Sequence, residues 1–311
     1  MIRLRFAAWS FFGCLVVSAL AQNGAGTPEE VTALRAAAEH RGNSAEQIML
    51  AGMYSQGRGV PKDDVQAAYW YRKAAEEGDA TAQFDMGVLY SAGQGVPKDD
   101  GQAAVWYRKA AEQGNVDAQF NLATLYDAGG QGLPPDAVQA ANWYHKAAEQ
   151  GMVAAQFNIG VFYNQGRGVA KDDAQAAIWW SKAAAQGNAD AELNLGELYD
   201  QGRGVAKDEV QAANWYRKAA EQGLHAAQFN LGLLYAQGLG LPKDMVEAYV
   251  WLTVSATVLP KGTDPDANPQ TDFSQVRDAI GMQISAEQRA IAKTRAQAWL
   301  AAHPPAAGRA Q

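Results

Sequence analysis

The chain has 311 residues, with 26 Lys and Arg against 33 Asp and Glu, 48% hydrophobic residues and 10% aromatics. That is too much apolar and aromatic side chain for a disordered polymer, and a net charge of −7 makes nucleic acid or an anionic membrane surface a poor partner. Its single cysteine, Cys14, excludes an intrachain disulfide and any thiolate cluster for a metal.

Residues 1–21 read as a secretory signal peptide. Arg3 and Arg5 form a short positive start, an uncharged, mostly apolar run of 15 residues extends from Phe6 to Leu20, and Ala19-Leu20-Ala21 is a small-x-small cleavage pattern ahead of Gln22. The run is shorter than the roughly 18 residues that a spanning helix needs, and no later segment is apolar for as long. The expectation is an exported chain, periplasmic or secreted, without stable membrane insertion after cleavage. A retained N-terminal anchor is the rival reading; a lipid anchor at Cys14 is disfavoured because Phe11-Phe12-Gly13 is a poor lipobox. Cleavage removes both arginines and Cys14, leaving 24 basic against 33 acidic residues, a net charge of −9, and no cysteine.

Residues 22–43 are expected to form an N-terminal capping helix, with Thr27 as N-cap, Pro28 at the first helical position and an end at Arg41-Gly42-Asn43. It resembles the second half of the unit that follows, standing alone.

From residue 44 the chain repeats itself. Tryptophan recurs at 70, 106, 143, 179, 215 and 251 and tyrosine at 54, 90, 126, 163, 199 and 235, in steps of 36 residues with one step of 37. One inserted residue between Tyr126 and Trp143, at the doubled Gly129-Gly130, accounts for both series. This is the signature of a stacked repeat architecture. Repeats 1 to 6 span 44–79, 80–115, 116–152, 153–188, 189–224 and 225–260.

Repeat 2 shows the logic. Ala82, Met86, Leu89 and Tyr90 recur at helical spacing and predict a first helix over 80–92. Gly93 and Gly95 break it, and Val96-Pro97 forms a loop. Asp99 then sits where an N-cap is needed, with Gln102 three residues on, as in a capping box. Each repeat has the pair: Asp63/Gln66, Asp99/Gln102, Asp136/Gln139, Asp172/Gln175, Asp208/Gln211 and Asp244/Glu247. The second helix carries Ala103, Tyr107, Ala110 and Ala111 on one face and ends with Arg108-Lys109 near its negative end and Gly114 beyond it. On the first helices Ala51, Gly87, Ala123, Gly160, Gly196 and Gly232 are equivalent. A glycine there costs roughly 1 kcal/mol relative to alanine, so a neighbouring helix or an aromatic ring must need the space. One such unit cannot bury its stripe alone, and stability must come from stacked neighbours.

The pattern Ala-Gln-Phe-Asn-Leu-Gly-x-Leu-Tyr, then Gly-x-Gly-Val-x-Lys-Asp, then Ala-x-Trp-Tyr-x-Lys-Ala-Ala-Glu-Gln-Gly resembles the Sel1-like repeat, a relative of the tetratricopeptide repeat, over residues 44–260. The resemblance implies an all-α fold, a right-handed α/α superhelical solenoid of about six helix-turn-helix repeats with capping helices. It also implies an adaptor or scaffold role, often in the bacterial envelope or facing a host. Some cysteine-rich relatives bind or hydrolyse β-lactams, but their regularly placed cysteines are absent here.

Beyond repeat 5 the pattern changes. Trp251-Leu252-Thr253-Val254 replaces Trp-Tyr-Arg-Lys, and no Glu-Gln-Gly follows before Pro260. C-terminal capping helices are expected within 261–302: one near 273–282 after a Pro/Asp-rich stretch, and one begun by Ser285 with Gln288, whose Ile291, Ala292, Arg295, Ala298 and Trp299 share a face. Residues 303–311 are expected to be a disordered tail.

Chemistry is harder to find. His40, His145, His225 and His303 share no ligand spacing, so no metal and no cofactor is expected and the histidines read as exposed polar residues. The Gly-Arg-Gly loops at Arg58, Arg167 and Arg203 lack a Walker pattern and read as turns with solvated arginines. The pairs Asp63/Asp64, Asp99/Asp100 and Asp172/Asp173 begin helices in repeat after repeat, which suits capping and not a single acid–base site. No catalytic residue emerges, and the chain is not expected to be an enzyme.

A binding face does emerge. Phe84 and Val88, four apart, form a second face of the first helix, continued by Ser91. Its equivalents are Phe120/Thr124, Phe157/Val161, Leu193/Glu197 and Phe229/Leu233, beside which run Asn121, Asn158, Asn194 and Asn230. In tetratricopeptide-like superhelices the first helices line the concave surface. The resemblance therefore implies a protein or peptide partner, its apolar side chains on the phenylalanines and its backbone on the asparagines. Two readings stay open: the phenylalanines pack against the preceding second helix, or they face a ligand; likewise the asparagines satisfy neighbouring backbone, or they bind. Ser91, Asp127, Asn164, Asp200 and Ala236 vary at one position and would tune selectivity. The leading expectation is a protein-interaction scaffold. The alternatives are a β-lactam-binding or β-lactam-hydrolysing protein, and a carbohydrate- or cell-wall-binding solenoid that would need several exposed indole faces.

Overall fold

The computed structural model describes residues 28–40, 43–258 and 273–304. The expected signal peptide and its cleavage site, Thr27, Arg41-Gly42, the Pro/Asp-rich stretch and residues 305–311 lie outside the described residues. Fifteen helices are described. α1 (Pro28–Ala38) comes first, and the repeats supply α2 (Ser44–Gln56) with α3 (Asp64–Glu76), α4 (Ala80–Ala92) with α5 (Asp100–Glu112), and α6 (Val116–Ala128) with α7 (Ala137–Glu149). Then come α8 (Val153–Gln165) with α9 (Asp173–Ala185), α10 (Ala189–Gln201) with α11 (Glu209–Glu221), and α12 (His225–Gln237) with α13 (Met245–Val258). α14 (Phe273–Gly281) and α15 (Ala286–Ala302) close the chain. The described residues hold no strand, only an isolated bridge between Gly130 and Leu133 in the lengthened loop of repeat 3. The fold is an all-α repeat architecture, and its described residues form two compact units, divided between Met152 and Val153. Within each, a first helix packs on its own second helix, and that second helix on the next first helix.

Both helices of a repeat have sharp ends. Asp99 lies in extended backbone, and its carboxylate accepts from the Gln102 backbone N–H at 2.9 Å. The expected capping box is only half formed, because the Asp99 N–H is already donated to the Tyr90 carbonyl at 3.0 Å and the Gln102 side chain has nothing to reach back to. A complete box occurs at Ser285 and Gln288, where that N–H is free to take it. First helices have caps that the sequence reading passed over, Asp79, Asn115 and Asn188, each accepting from the backbone N–H three residues on.

Glycine is required where the chain packs most closely, both within a repeat and between repeats. A Cβ on Gly87 would lie 2.4 Å from the Tyr107 ring, so the filler of that gap is the residue after the repeated tryptophan, on the same repeat's second helix. Gly95, at φ +69°, brings the loop of repeat 2 so near the start of α3 that a Cβ would stand 1.9 Å from the Asp64 carbonyl oxygen. This explains the paired carboxylates: the first caps its helix, and the second holds the next loop. Asp64 accepts from Gln94 Nε2 at 3.0 Å, and Asp100 from the Gln131 N–H at 2.8 Å.

A buried amide ladder joins neighbours. Gln83 Nε2 donates to the Ala75 carbonyl at 3.1 Å, while its Oε1 accepts from Gln113 Nε2 at 2.8 Å. Gln119 does the same with Ala111 and Gln150. At the ends the ladder stops: Gln47 Oε1 and Gln228 Oε1 find no donor, because Glu77 and Val258 stand where Gln113 does in repeat 2.

The terminal helices imitate missing halves of repeats. In α1, Leu34 and Ala38 are buried against repeat 1, Arg35 donates to the Tyr54 hydroxyl as Arg72 does to Tyr90, and Gln47 donates to the Ala38 carbonyl. At the other end α15 packs on α13, but its buried face is Ala292 and Ala296 with Trp299 and Leu300. Ile291, Arg295 and Ala298, expected on that face, are exposed, Ile291 at 50%; the buried face is turned by about one residue and runs through Ala292 and Ala296, which cluster with Tyr249 and Val250. His303 stacks on Trp299 at 4.3 Å, so order persists to the end of the described residues.

Candidate functional site

In the unit of repeats 1 to 3, the first-helix face expected from sequence is a stripe of Phe84 and Val88 on α4 and of Phe120, Asn121 and Thr124 on α6. It is neither sealed nor fully open. Phe84 is half-buried and leans on Tyr107 of its own repeat, ring centres 5.7 Å apart; Phe120 meets Tyr144 edge-on at 5.6 Å. Each ring thus meets the second helix of its own repeat. Val88, 36% exposed, and Thr124 remain at the surface. The Thr124 hydroxyl lies 3.1 Å from the Tyr144 hydroxyl and 3.0 Å from the Phe120 carbonyl.

The asparagines answer to tyrosines rather than to backbone. Asn121 is hydrogen-bonded to the hydroxyl of Tyr107, from the preceding repeat. An amide offers two donors and two lone pairs, so this bond leaves capacity for a ligand. In repeats 1 to 3 the tyrosine after the repeated tryptophan therefore reaches through from the second helix to floor the face. Tyr71, Tyr107 and Tyr144 do so here, and the sequence reading missed them as a set although their spacing matches that of the tryptophans. At the Asn121 position repeat 2 carries Asp85. Burial pushes its carboxyl up to about 6, and the Asp79 charge adds to the effect. Tyr71, beside it, is pushed up to about 12, first by burial and then by the Asp85 charge.

The unit of repeats 4 to 6 holds its own version. Phe157 and Val161 are partly buried against the core of Ala176, Trp180 and Leu195, and Trp180 donates from Nε1 to the Phe157 carbonyl at 3.2 Å. Asn158 and Asn194 are half-buried. Glu197 is half-buried too: burial pushes its carboxyl up, Arg203 opposes this, and Asp200 adds to it. Asn230 is hydrogen-bonded to Tyr216. Phe229 is closed. It is 9% exposed, with the Phe273 ring of α14 at 4.4 Å, so the last phenylalanine of the expected row is covered by the chain itself.

The tryptophans are structural. Trp70, Trp106, Trp143 and Trp179 are buried and Trp215 and Trp251 half-buried. In repeats 1 to 5 the lysine three residues on, Lys73 to Lys218, lies over the indole at 3.8–5.0 Å. Trp299 packs edge-on against Trp251 at 5.7 Å. The carbohydrate reading needs free indole faces in a row, and these are taken.

The histidines and the loop arginines are also more engaged than expected. His145 is 3.6 Å from Glu149, and His225 faces Phe273. Arg167 stacks over Phe162 at 4.6 Å, and Arg203 lies 3.7 Å from Asp173. The buried Ser255 hydroxyl donates to the His225 carbonyl at 2.9 Å. Among the described residues no group of three or more His, Cys, Asp or Glu is arranged to hold a metal, and no helix is long and apolar enough to cross a membrane.

The Sel1 repeat family model matches residues 47–79, 80–115, 116–152, 153–188, 189–224 and 225–257, which agrees with the six repeats read from Trp and Tyr spacing. A comparison with curated protein sequences gave no match. Among solved structures, a protective antigen present in uropathogenic Escherichia coli strains, described as displaying an SLR fold, is similar with 37% identity and a TM-score of 0.69 over 96% of this chain. This chain spans 62% of that protein's length. A Sel1 repeat protein from Oxalobacter formigenes is similar with 34% identity and a TM-score of 0.64, over 79% of this chain and 98% of its own. Proteins of this kind generally serve as protein–protein interaction scaffolds, and the fold is typically non-enzymatic. With six matched repeats, and caps that complete the first and last of them, the chain belongs to the Sel1 repeat family.

Proposed function

We propose that the protein is exported and acts as a scaffold that binds an extended peptide segment of a protein partner on its first-helix faces. The observation that carries this reading is the half-open stripe of Phe84, Val88, Phe120 and Thr124, where apolar side chains stand beside the surface hydroxyl of Thr124. Such a surface suits a strand-like peptide, which presents a side chain and a backbone amide in alternation. Asn121 and Asn158 supply further polar contacts, and Phe157, Val161, Asn194 and Glu197 form the corresponding stripe in the second unit.

Export is supported by the layout of residues 1–21 and by the similarity to a protective antigen, since such a protein is met by antibodies. Cell fractionation with N-terminal sequencing should recover a chain beginning at Gln22 outside the cytoplasm. A cytoplasmic chain beginning at Met1 would end the export reading. For binding, Phe84→Ser with Phe120→Ser should abolish capture of a partner identified by crosslinking, while circular dichroism stays unchanged. Undiminished capture would place the site elsewhere.

A further inference from the structure

We infer that Asp85 makes the face of repeats 2 and 3 a seat for a cationic peptide, setting an arginine or lysine against its carboxylate and apolar side chains against Phe84, Val88 and Phe120. This rests on the peptide-binding reading above and narrows it to one charge class.

Position is the first argument. Repeats 3 to 6 carry Asn121, Asn158, Asn194 and Asn230 where repeat 2 carries Asp85. An asparagine there is neutral, and in Asn121 it is hydrogen-bonded to a tyrosine of the preceding repeat. Asp85 brings a charge that its surroundings do not balance. The groups that act on it or feel it are Tyr71 from α3, Tyr107 from α5 and Asp79 at the start of its own helix, and none is basic. A half-buried carboxylate without a cation is an unfavourable arrangement, and it attracts an incoming guanidinium or ammonium more strongly than a fully hydrated one does.

The first helices cannot supply that cation. All six lack Lys and Arg, although they hold eight carboxylates: Glu46, Asp85, Asp117, Asp127, Asp190, Glu192, Glu197 and Asp200. The arginines of the second helices are committed elsewhere, Arg72 to the Tyr90 hydroxyl and Arg108 to that of Tyr126. The chain thus presents apolar rings and an uncompensated negative charge on one stripe, and the complement is a peptide that interleaves basic and apolar residues. Burial and Asp79 hold Asp85 near pH 6, so its charge, and with it the preference for a cation, should fade as pH falls from 7.5 to 5.

The test is selection of a displayed library of random octapeptides on the full chain at pH 7.5, repeated with Asp85→Asn, Asp117→Asn and Phe120→Ser. Asn is the residue of four other repeats at this position, so Asp85→Asn is built to fold. The expected result is about threefold or greater enrichment of Arg and Lys beside aromatic or aliphatic residues. That enrichment disappears with Asp85→Asn and persists with Asp117→Asn, whose exposed carboxylate controls for charge in general. Enrichment of apolar residues alone, or basic enrichment that survives Asp85→Asn, overturns the cation seat and leaves the peptide reading standing. Absence of any selection above background, or selection indifferent to Phe120→Ser, overturns both.

Discussion

Phe120 and Phe229 stand in the same words of sequence, Ala-Gln-Phe-Asn-Leu, three repeats apart. Phe120 is half-buried, supported from behind by Tyr144 and open in front. Phe229 has Leu252 where Tyr144 would be, and in front it has Phe273. The repeat fixes where such a ring points, but elements outside the repeat decide whether it is available. Faces of identical pattern therefore differ in exposure, and the first unit keeps open what α14 closes in the second.

The largest expected effect comes from disturbing the packing behind a face. Gly160→Val places a Cβ 2.5 Å from the Trp180 indole, a fused ring with no room to withdraw, and overpacking of this kind should cost about 3 kcal/mol in denaturant unfolding. An unchanged midpoint would mean that the rings behind the first helices are loose, and the comparison would lose its basis. Phe273→Ala should cost about 2 kcal/mol and make Phe229 resemble Phe120. Hydrogen exchange over 225–237 should then quicken while 116–128 is unaffected.

Two smaller effects sharpen the contrast between the interior and the ends. Gln113→Ala leaves the buried Gln83 Oε1 without a donor and should cost about 1–2 kcal/mol, whereas Glu77→Ala should cost little, because Gln47 Oε1 already lacks one. Asp85→Asn should stabilise the protein at pH 7. The Asp85 carboxyl is raised from 3.8 to about 6 in the fold, so its ionised form penalises the native state once pH exceeds the unfolded value, and fully above the folded one. After allowance for solvent screening the gain is about 1 kcal/mol at pH 7, and it vanishes near pH 4. A gain that persists at pH 4 would show that the effect is not one of charge.

Most of the fold was legible because the repeat averages away local ambiguity: six copies of Trp, Tyr and Asp caps fix the helix register beyond what one copy could. The caps were legible for the same reason, as Arg35 and Ala38 repeat the roles of Arg72 and Ala75. Ile291 escaped because α15 belongs to no repeat, and one helix allows a phase error of one residue. The site was half legible. Phe84, Phe120 and Asn121 were found from spacing, but the tyrosine floor requires knowing that second-helix side chains pass between first helices. Closure of Phe229 by Phe273 is a contact across 44 residues that no periodicity encodes.

On the proposed reading, a partner docks on the open first-helix face of repeats 2 and 3. A photoreactive residue placed in living cells at Val88 or Thr124, and separately at Val105 or Val138 on the exposed side of the second helices, tests it most directly. Val88 and Thr124 should crosslink the same identified protein, through a short extended segment, and Phe84→Ser with Phe120→Ser should remove the product. Capture of that protein from Val105 or Val138 alone would contradict it.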